Sequence, residues 1–316
     1  MRNAFLDTLF ELARDDDRIV LITGDLGFGV VTRFMEQLPR QFVNAGVAEQ
    51  NMTGLAAGMA LSGKIVFTYS IANFPTLRCL EQIRNDLCYH RANVTVVSIG
   101  GGFAYGAMGA THHATEDLGI MRTLPEMVVV APADPVETRH GTRAIVERGG
   151  PCYLRLGKAG ERVVHQGPIA FELGRAIQVR DGRDVTLISA GALLHTALRV
   201  AERLAEEGQE ARVLSMHTIK PLDEDAVLKA AQETHAIATL EEHSVIGGLG
   251  SAVAEVLAEA GAGTPFKRIG LPSSFSPHIG GQEYLLERHG LTDEAIVPLI
   301  RQLLERPRLL TGSARR

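Results

Sequence analysis

Glu49 is the one charge in the run Gly46-Val47-Ala48-Glu49-Gln50-Asn51, which closes an apolar stretch and opens an alanine- and glycine-rich one of helical character. A carboxylate in the first turn of a helix, just past a strand, lies at the sheet edge where open α/β folds bind ligands. By spacing alone it reads equally well as a helix-start acid drawn by the macrodipole. Three other segments keep it company. Gly24-Asp25-Leu26-Gly27-Phe28-Gly29 follows the first strand-like run, and Phe74 lies beyond the run that ends near Tyr69. Gly109-Ala110-Thr111-His112-His113 sits in a glycine-rich loop after the run ending at Ile99. Acids and histidine exchange protons, and glycines let backbone come close to a ligand. Taken singly, such an Asp, Phe or His is a cap, a core ring or a satisfied surface group.

The elements that must gather these segments alternate along the chain. Short β-branched runs at 18–23, 64–69, 93–99, 127–130 and 152–156 are separated by helical patterns at 48–62, 76–89, 116–123 and 134–148. Asp134-Pro135-Val136-Glu137 has the composition of a helix start, with a cap, a proline and an acid. This rhythm predicts an α/β fold with a mainly parallel sheet covered on both faces, and the four segments then share one edge. An irregular stretch, 157–171, reads as a linker. A second alternating block follows, with strands at 184–189, 211–216, 236–240 and 266–269 and helices reaching 207 and spanning 223–234 and 247–260. The expected domains are 1–160 and 172–305, each doubly wound, with a mobile basic tail at 306–316.

Bulk properties narrow the function class. The 316 residues suffice for two cores. The 45% hydrophobic and 22% charged content is that of a globular protein. A net charge of −5 offers no surplus of cations for a phosphate backbone, so no nucleic-acid partner is expected. The uncharged stretch 92–115 is long enough to span a bilayer, but five glycines and two adjacent histidines suit a buried strand and loop better, so no membrane partner is expected. Cys79, Cys88 and Cys152 form no close pair or Cys/His cluster and read as reduced thiols. With no signal-like segment, a cytoplasmic protein is expected.

Together the four segments and their order resemble the pyrimidine-binding half of the transketolase superfamily. That group includes transketolase, deoxyxylulose-phosphate synthase and the beta subunits of 2-oxoacid dehydrogenases. Gly24-Asp25-Leu26, Gly46-Val47-Ala48-Glu49-Gln50, Gly109-Ala110-Thr111-His112 and Pro151-Cys152-Tyr153-Leu154-Arg155 carry the resemblance, and 184–261 looks like the family's C-terminal domain. The resemblance implies thiamine diphosphate. Glu49 would hydrogen-bond N1′ of the aminopyrimidine, Phe74 would stack on that ring, and Asp25 would lie near the cofactor. His112 and Arg155 would meet the substrate, with Met108 beside them. Glu49 and His112 are the implied catalytic residues. The family's diphosphate and Mg2+ are held by Gly-Asp-Gly followed by Asn, a motif this chain lacks. No metal ligand is therefore expected here. The chain looks like the C-terminal half of a split transketolase, needing an N-terminal partner subunit with that motif in a two-fold symmetric heterotetramer.

The departures bear on substrate. Met108 stands where the family has an acid that recognises a sugar hydroxyl, and a thioether is a poor acceptor. Gly29 and Gly100 fall where a Ser and a His reach the sugar phosphate. An atypical donor for two-carbon ketol transfer is expected. The rivals are a 2-oxoacid dehydrogenase beta subunit or decarboxylating synthase, and a non-catalytic scaffolding subunit. Gly248-Leu249-Gly250 could be a dinucleotide turn but lacks its acid. Glu241-Glu242-His243 reads as a polar cluster at a subunit contact before it reads as a metal or acid–base site.

Overall fold

A computed structural model describes residues 1–308. Among these residues twelve strands form two sheets: β1 (Ile19–Thr23), β2 (Phe42–Asn44), β3 (Ile65–Ile71), β4 (Val94–Ile99), β5 (Val128–Val130), β6 (Cys152–Leu156), β7 (Ile177–Arg180), β8 (Val185–Ser189), β9 (Ala211–Ser215), β10 (Thr218–Lys220), β11 (Ala236–Ser244) and β12 (Phe266–Leu271). The first sheet runs β10-β5-β6-β4-β3-β1-β2 and the second β12-β11-β8-β9-β7. All neighbours are parallel except β10 against β5 and β7 against β9. The fold is the expected pair of doubly wound, mainly parallel α/β sheets. Its inner strands are apolar runs without alternation because helices cover both faces.

Helices Arg2–Asp15 and Pro135–Arg148 cover one face of the first sheet, with Phe5, Leu9 and Phe10 buried against β1 and β3. Helix Glu49–Leu61 covers the other through Met52, Ala56 and Ala57. These small side chains let it lie close to the strands. Asp134 caps Pro135–Arg148 as expected, with Glu137 N donating to its Oδ1 at 2.8 Å.

Several expectations need correction. The helix expected at 76–89 is broken into a tight turn at Leu77–Cys79, one α-turn at Leu80–Gln82 and a π-helical turn at Ile83–Cys88. Gln50 Nε2 donates to the Arg78 carbonyl at 2.8 Å, so a side chain from another helix engages backbone here. Strands β7 and β10 and helices Gln282–Arg288 and Asp293–Leu304 had no counterpart among the expected elements. Strand β10 leaves the second block to form an edge of the first sheet.

One apolar cluster also joins the sheets, running from Val96 and Tyr153 through Met121 to Ile188, Leu214 and Val253. The stretch at 157–171 is irregular, as a linker should be, yet fastened. Val164 N and His165 N donate to Asp134 Oδ2 at 2.9 and 3.0 Å, and Phe171 stacks on His217 with ring centroids 3.9 Å apart. Of the tail expected to be mobile, 309–316 lie outside the described residues. Arg308 is held by the carbonyls of Ala231 and Thr234.

Candidate active site

The parallel order of β1, β2, β3 and β4 brings the loops that follow them to one edge. Glu49 opens its helix 3% exposed. A Cβ on Gly24 would lie 3.7 Å from Glu49 Cγ and 3.5 Å from the Gly46 carbonyl, so the first two loops touch at glycine backbone. Asn44, at the end of β2, staples them. Its Oδ1 accepts from Asp25 N and from Gly46 N, both at 3.0 Å, and its Nδ2 donates to Asp25 Oδ1 at 2.9 Å. Asp25 adopts φ 57°, a left-handed conformation that short polar side chains tolerate.

The loop after β3 supplies an aromatic and a cation. Phe74 is half-buried, and its ring meets His112 edge-on with centroids 5.1 Å apart. Arg78 places its guanidinium 4.8 Å from the Phe74 ring centre and donates from Nη1 to Glu49 Oε2 at 2.9 Å. Asn73 Nδ2 donates to the carbonyls of Thr111 and His113, fixing this loop to the one that carries His112. Thr111 Oγ1 and His112 Nδ1 are 3.0 Å apart. Arg78 and the Phe74 ring thus link Glu49 to His112 in one polar and aromatic group at the sheet edge, with Asp25 on the adjoining loop. Arg78, Asn44 and Asn73 were absent from the expected set. Each acts through a contact across many residues, and none lies in a motif.

Met108 is 58% exposed in a turn at Gly106–Met108, beside that group. Gly29 has φ 74° and open space around it. Gly100 is different: a Cβ there would sit 2.2 Å from the Tyr105 ring. Tyr105 fills the room that a side chain at 100 would need, and burial pushes its phenol pKa up.

Arg155, expected at the substrate, is turned into the protein. It is 7% exposed, and its Nε donates to Asp117 Oδ2 at 2.9 Å. Its Nη2 donates to the carbonyls of Ala114 and Glu242 at 2.8 and 2.9 Å. Burial pulls the guanidinium down, but Asp117, Tyr153 and Glu242 outweigh it and hold the group above its usual range. Its geometry is that of a clamp between the two sheets. Arg155→Met should strand Asp117, itself 1% exposed, and cost about 3–5 kcal/mol in denaturant unfolding of the subunit. A variant as stable as its parent but with a raised donor KM would return Arg155 to the substrate.

The 241–243 cluster is also internal. Glu241 accepts from Leu249 N and Gly250 N at 2.7 and 2.8 Å, capping helix Leu249–Glu259. Glu242 accepts from Phe103 N at 2.6 Å and from Gln282 Nε2. Burial raises both carboxyl pKa values. His243 Nε2 accepts from Gly119 N at 3.1 Å. A Cβ at Gly248 would lie 2.1 Å from Glu241 Oε2, so the Gly-Leu-Gly turn closes over a carboxylate of this chain, where a dinucleotide turn would be open to a phosphate. The side chains of the cluster, read from the sequence as a polar group at a subunit contact, are bonded within this chain. Among the described residues no group of three or more His, Cys, Asp or Glu can hold a metal, and no helix is long and apolar enough to cross a membrane.

Two doubly wound α/β sheets, with a buried carboxylate, a ring and an imidazole on the post-strand loops of the first, make this a two-sheet α/β protein. Residues 1–161 match the transketolase pyrimidine binding domain and residues 174–296 the transketolase C-terminal domain. The chain belongs to the transketolase family. It is 43% identical over 297 residues to one subunit of the apulose-4-phosphate transketolase of Phocaeicola vulgatus, covering 93% of this chain and 94% of that one. It is 40% identical over 307 residues to the 6-deoxy-6-sulfo-D-fructose transketolase subunit of Clostridium sp., covering 97% and 95%. A solved split gene transketolase, described as an inactive beta4 tetramer, superposes with a TM-score of 0.87 at 39% identity and covers 96% of this chain and 97% of that one.

Proposed function

We propose that this chain is the pyrimidine-side subunit of a thiamine-diphosphate-dependent enzyme that moves a two-carbon ketol unit between sugar or sugar-like carbonyl compounds. One observation carries the reading: Glu49, 3% exposed at a helix start, is joined through Arg78 to the Phe74 ring, which in turn meets His112. The pyrimidine end of the cofactor fits these residues, Glu49 at its ring nitrogen and Phe74 at its face. For the diphosphate end, whose divalent cation wants oxygen ligands, the described residues gather no group of three or more His, Cys, Asp or Glu, and the Gly-Asp-Gly motif is missing from the chain. That half, with its Mg2+, is assigned to an N-terminal partner subunit carrying Gly-Asp-Gly and Asn, in a two-fold symmetric heterotetramer. Bound thiamine diphosphate, held at its pyrimidine end by Glu49 and Phe74, would supply the nucleophilic carbon that ketol transfer needs.

This chain's residues do the rest. Glu49 holds a proton at the pyrimidine nitrogen, His112 donates to an oxygen of the transferred unit, and the Phe74 wall excludes water. Arg78 keeps Glu49 oriented through its 2.9 Å contact.

The donor is proposed to be atypical, because Met108 offers no useful acceptor and Tyr105 occupies the space beside Gly100. With the assembled complex, thiamine diphosphate and Mg2+, kcat/KM for xylulose 5-phosphate should fall below that for a deoxy, unphosphorylated or nucleotide-linked donor. His112→Ala should reduce transfer more than it weakens cofactor binding. Xylulose 5-phosphate matching or exceeding every other donor would defeat the assignment.

A further inference from the structure

The second domain reaches the mouth of the site through the segment 272–281, between β12 and helix Gln282–Arg288. It lies directly on the turn that leads to His112. A Cβ on Gly106 would fall 2.6 Å from the Gly280 carbonyl and 2.3 Å from Leu285 Cδ1, so only glycine permits the approach. Ile279 Cδ1 lies 3.7 Å from where a Cβ on Gly109 would be, next to Met108. Phe275 shares a cavity of about 60 Å3 with Asn73, Leu77 and Ala110, which flank Phe74 and His112 in sequence.

The segment is anchored from below. Glu242, 5% exposed, accepts from Phe103 N and from Gln282 Nε2 at 3.0 and 2.9 Å, joining the first domain to the start of the following helix. The Phe103 ring stacks on His289 at 5.1 Å, and His289 Nε2 lies 3.0 Å from Ser276 Oγ. On this fixed base Phe275 is 80% and Ile279 67% exposed. Large apolar side chains held out beside polar groups mark a contact surface. Residues 272–281 contain no Lys, Arg, Asp or Glu to meet a phosphate. Of their polar side chains, Ser276 is taken up by the His278 backbone and His289, while Phe275 and Ile279 are the large side chains held out.

We propose that Ile279 and Phe275, with Met108, form a specificity-determining apolar wall of the substrate mouth, selecting ketose donors whose distal end is deoxygenated. The inference rests on the ketol-transfer reading. Transfer breaks the bond between C2 and C3 of the donor, so the departing aldehyde and the incoming acceptor both occupy the outer part of the site. Discrimination at that end belongs to whatever lines the mouth.

The test uses the complete complex with its partner, thiamine diphosphate and Mg2+, and compares D-xylulose with 5-deoxy-D-xylulose, which differ only at the distal carbon. The parent should favour the deoxy sugar. Ile279→Asn with Phe275→Ser should shift the kcat/KM ratio toward D-xylulose by about tenfold, the scale on which an apolar pocket discriminates. Subunit assembly by size-exclusion chromatography and cofactor affinity by calorimetry should stay at parental values, which separates specificity from support of the fold. An unchanged ratio overturns the proposal. Loss of assembly also overturns it and assigns the segment to the subunit interface. A parent complex that binds cofactor yet transfers from no ketose overturns the ketol-transfer reading, and this inference with it.

Discussion

Glu49→Gln is expected to leave the subunit folded and able to assemble while turnover falls by about two orders of magnitude or more, as for loss of a positioned acid–base group. The substitution keeps shape and one hydrogen-bonding oxygen. On the proposed function it would remove the carboxyl group that exchanges a proton with the pyrimidine nitrogen, and it removes the carboxylate that Arg78 Nη1 meets at 2.9 Å. Arg78 is half-exposed and can turn to solvent, so little stability should be lost. The informative readout is exchange of the cofactor's C2 proton with deuterium in the assembled complex, followed by NMR, because it isolates activation from donor binding. Exchange at the parental rate would remove Glu49 from this role, whatever happened to overall turnover.

The second large effect concerns assembly. Alone, this chain should bind thiamine diphosphate weakly, and the partner subunit should raise affinity by about two orders of magnitude, a coupling of roughly 2.7 kcal/mol. Its own loops offer Glu49 and Phe74 to the ring end. The charged end of the ligand is anchored by a metal and backbone donors, and the described residues show no metal-holding cluster. An isologous pairing of two such halves would close two sites per assembly. Chelation of Mg2+ should return the complex to weak binding. Tight, Mg2+-dependent binding to the isolated chain in calorimetry would refute the split arrangement.

The fold was legible because parallel strands buried on both faces announce themselves. The apolar runs at β1, β4 and β6 and the glycines after them mark an edge without any long-range information. The carboxylate at a helix start was legible for the same local reason. The pairing of Arg155 with Asp117 was not legible because an arginine ending an apolar strand looks the same whether it faces a ligand or a buried acid, and Asp117 lies too far along the chain to signal it. Arg78, Asn44 and Asn73 escaped notice since their partners lie on other loops. The π-helical turn at Ile83–Cys88 has the residues of an ordinary helix, so nothing in its composition distinguishes it from one.

Strand β10 has a consequence for how the chain can be divided. Val128–Val130 gains its outer neighbour only from Thr218–Lys220, which lies beyond the linker and three strands of the second sheet. During synthesis the first sheet therefore waits with a bare, β-branched edge until Lys220 has emerged, an interval in which another chain could pair with it. A fragment cut at the linker would keep every residue of that group and yet remain permanently adhesive. The inheritable and transplantable unit is the whole chain.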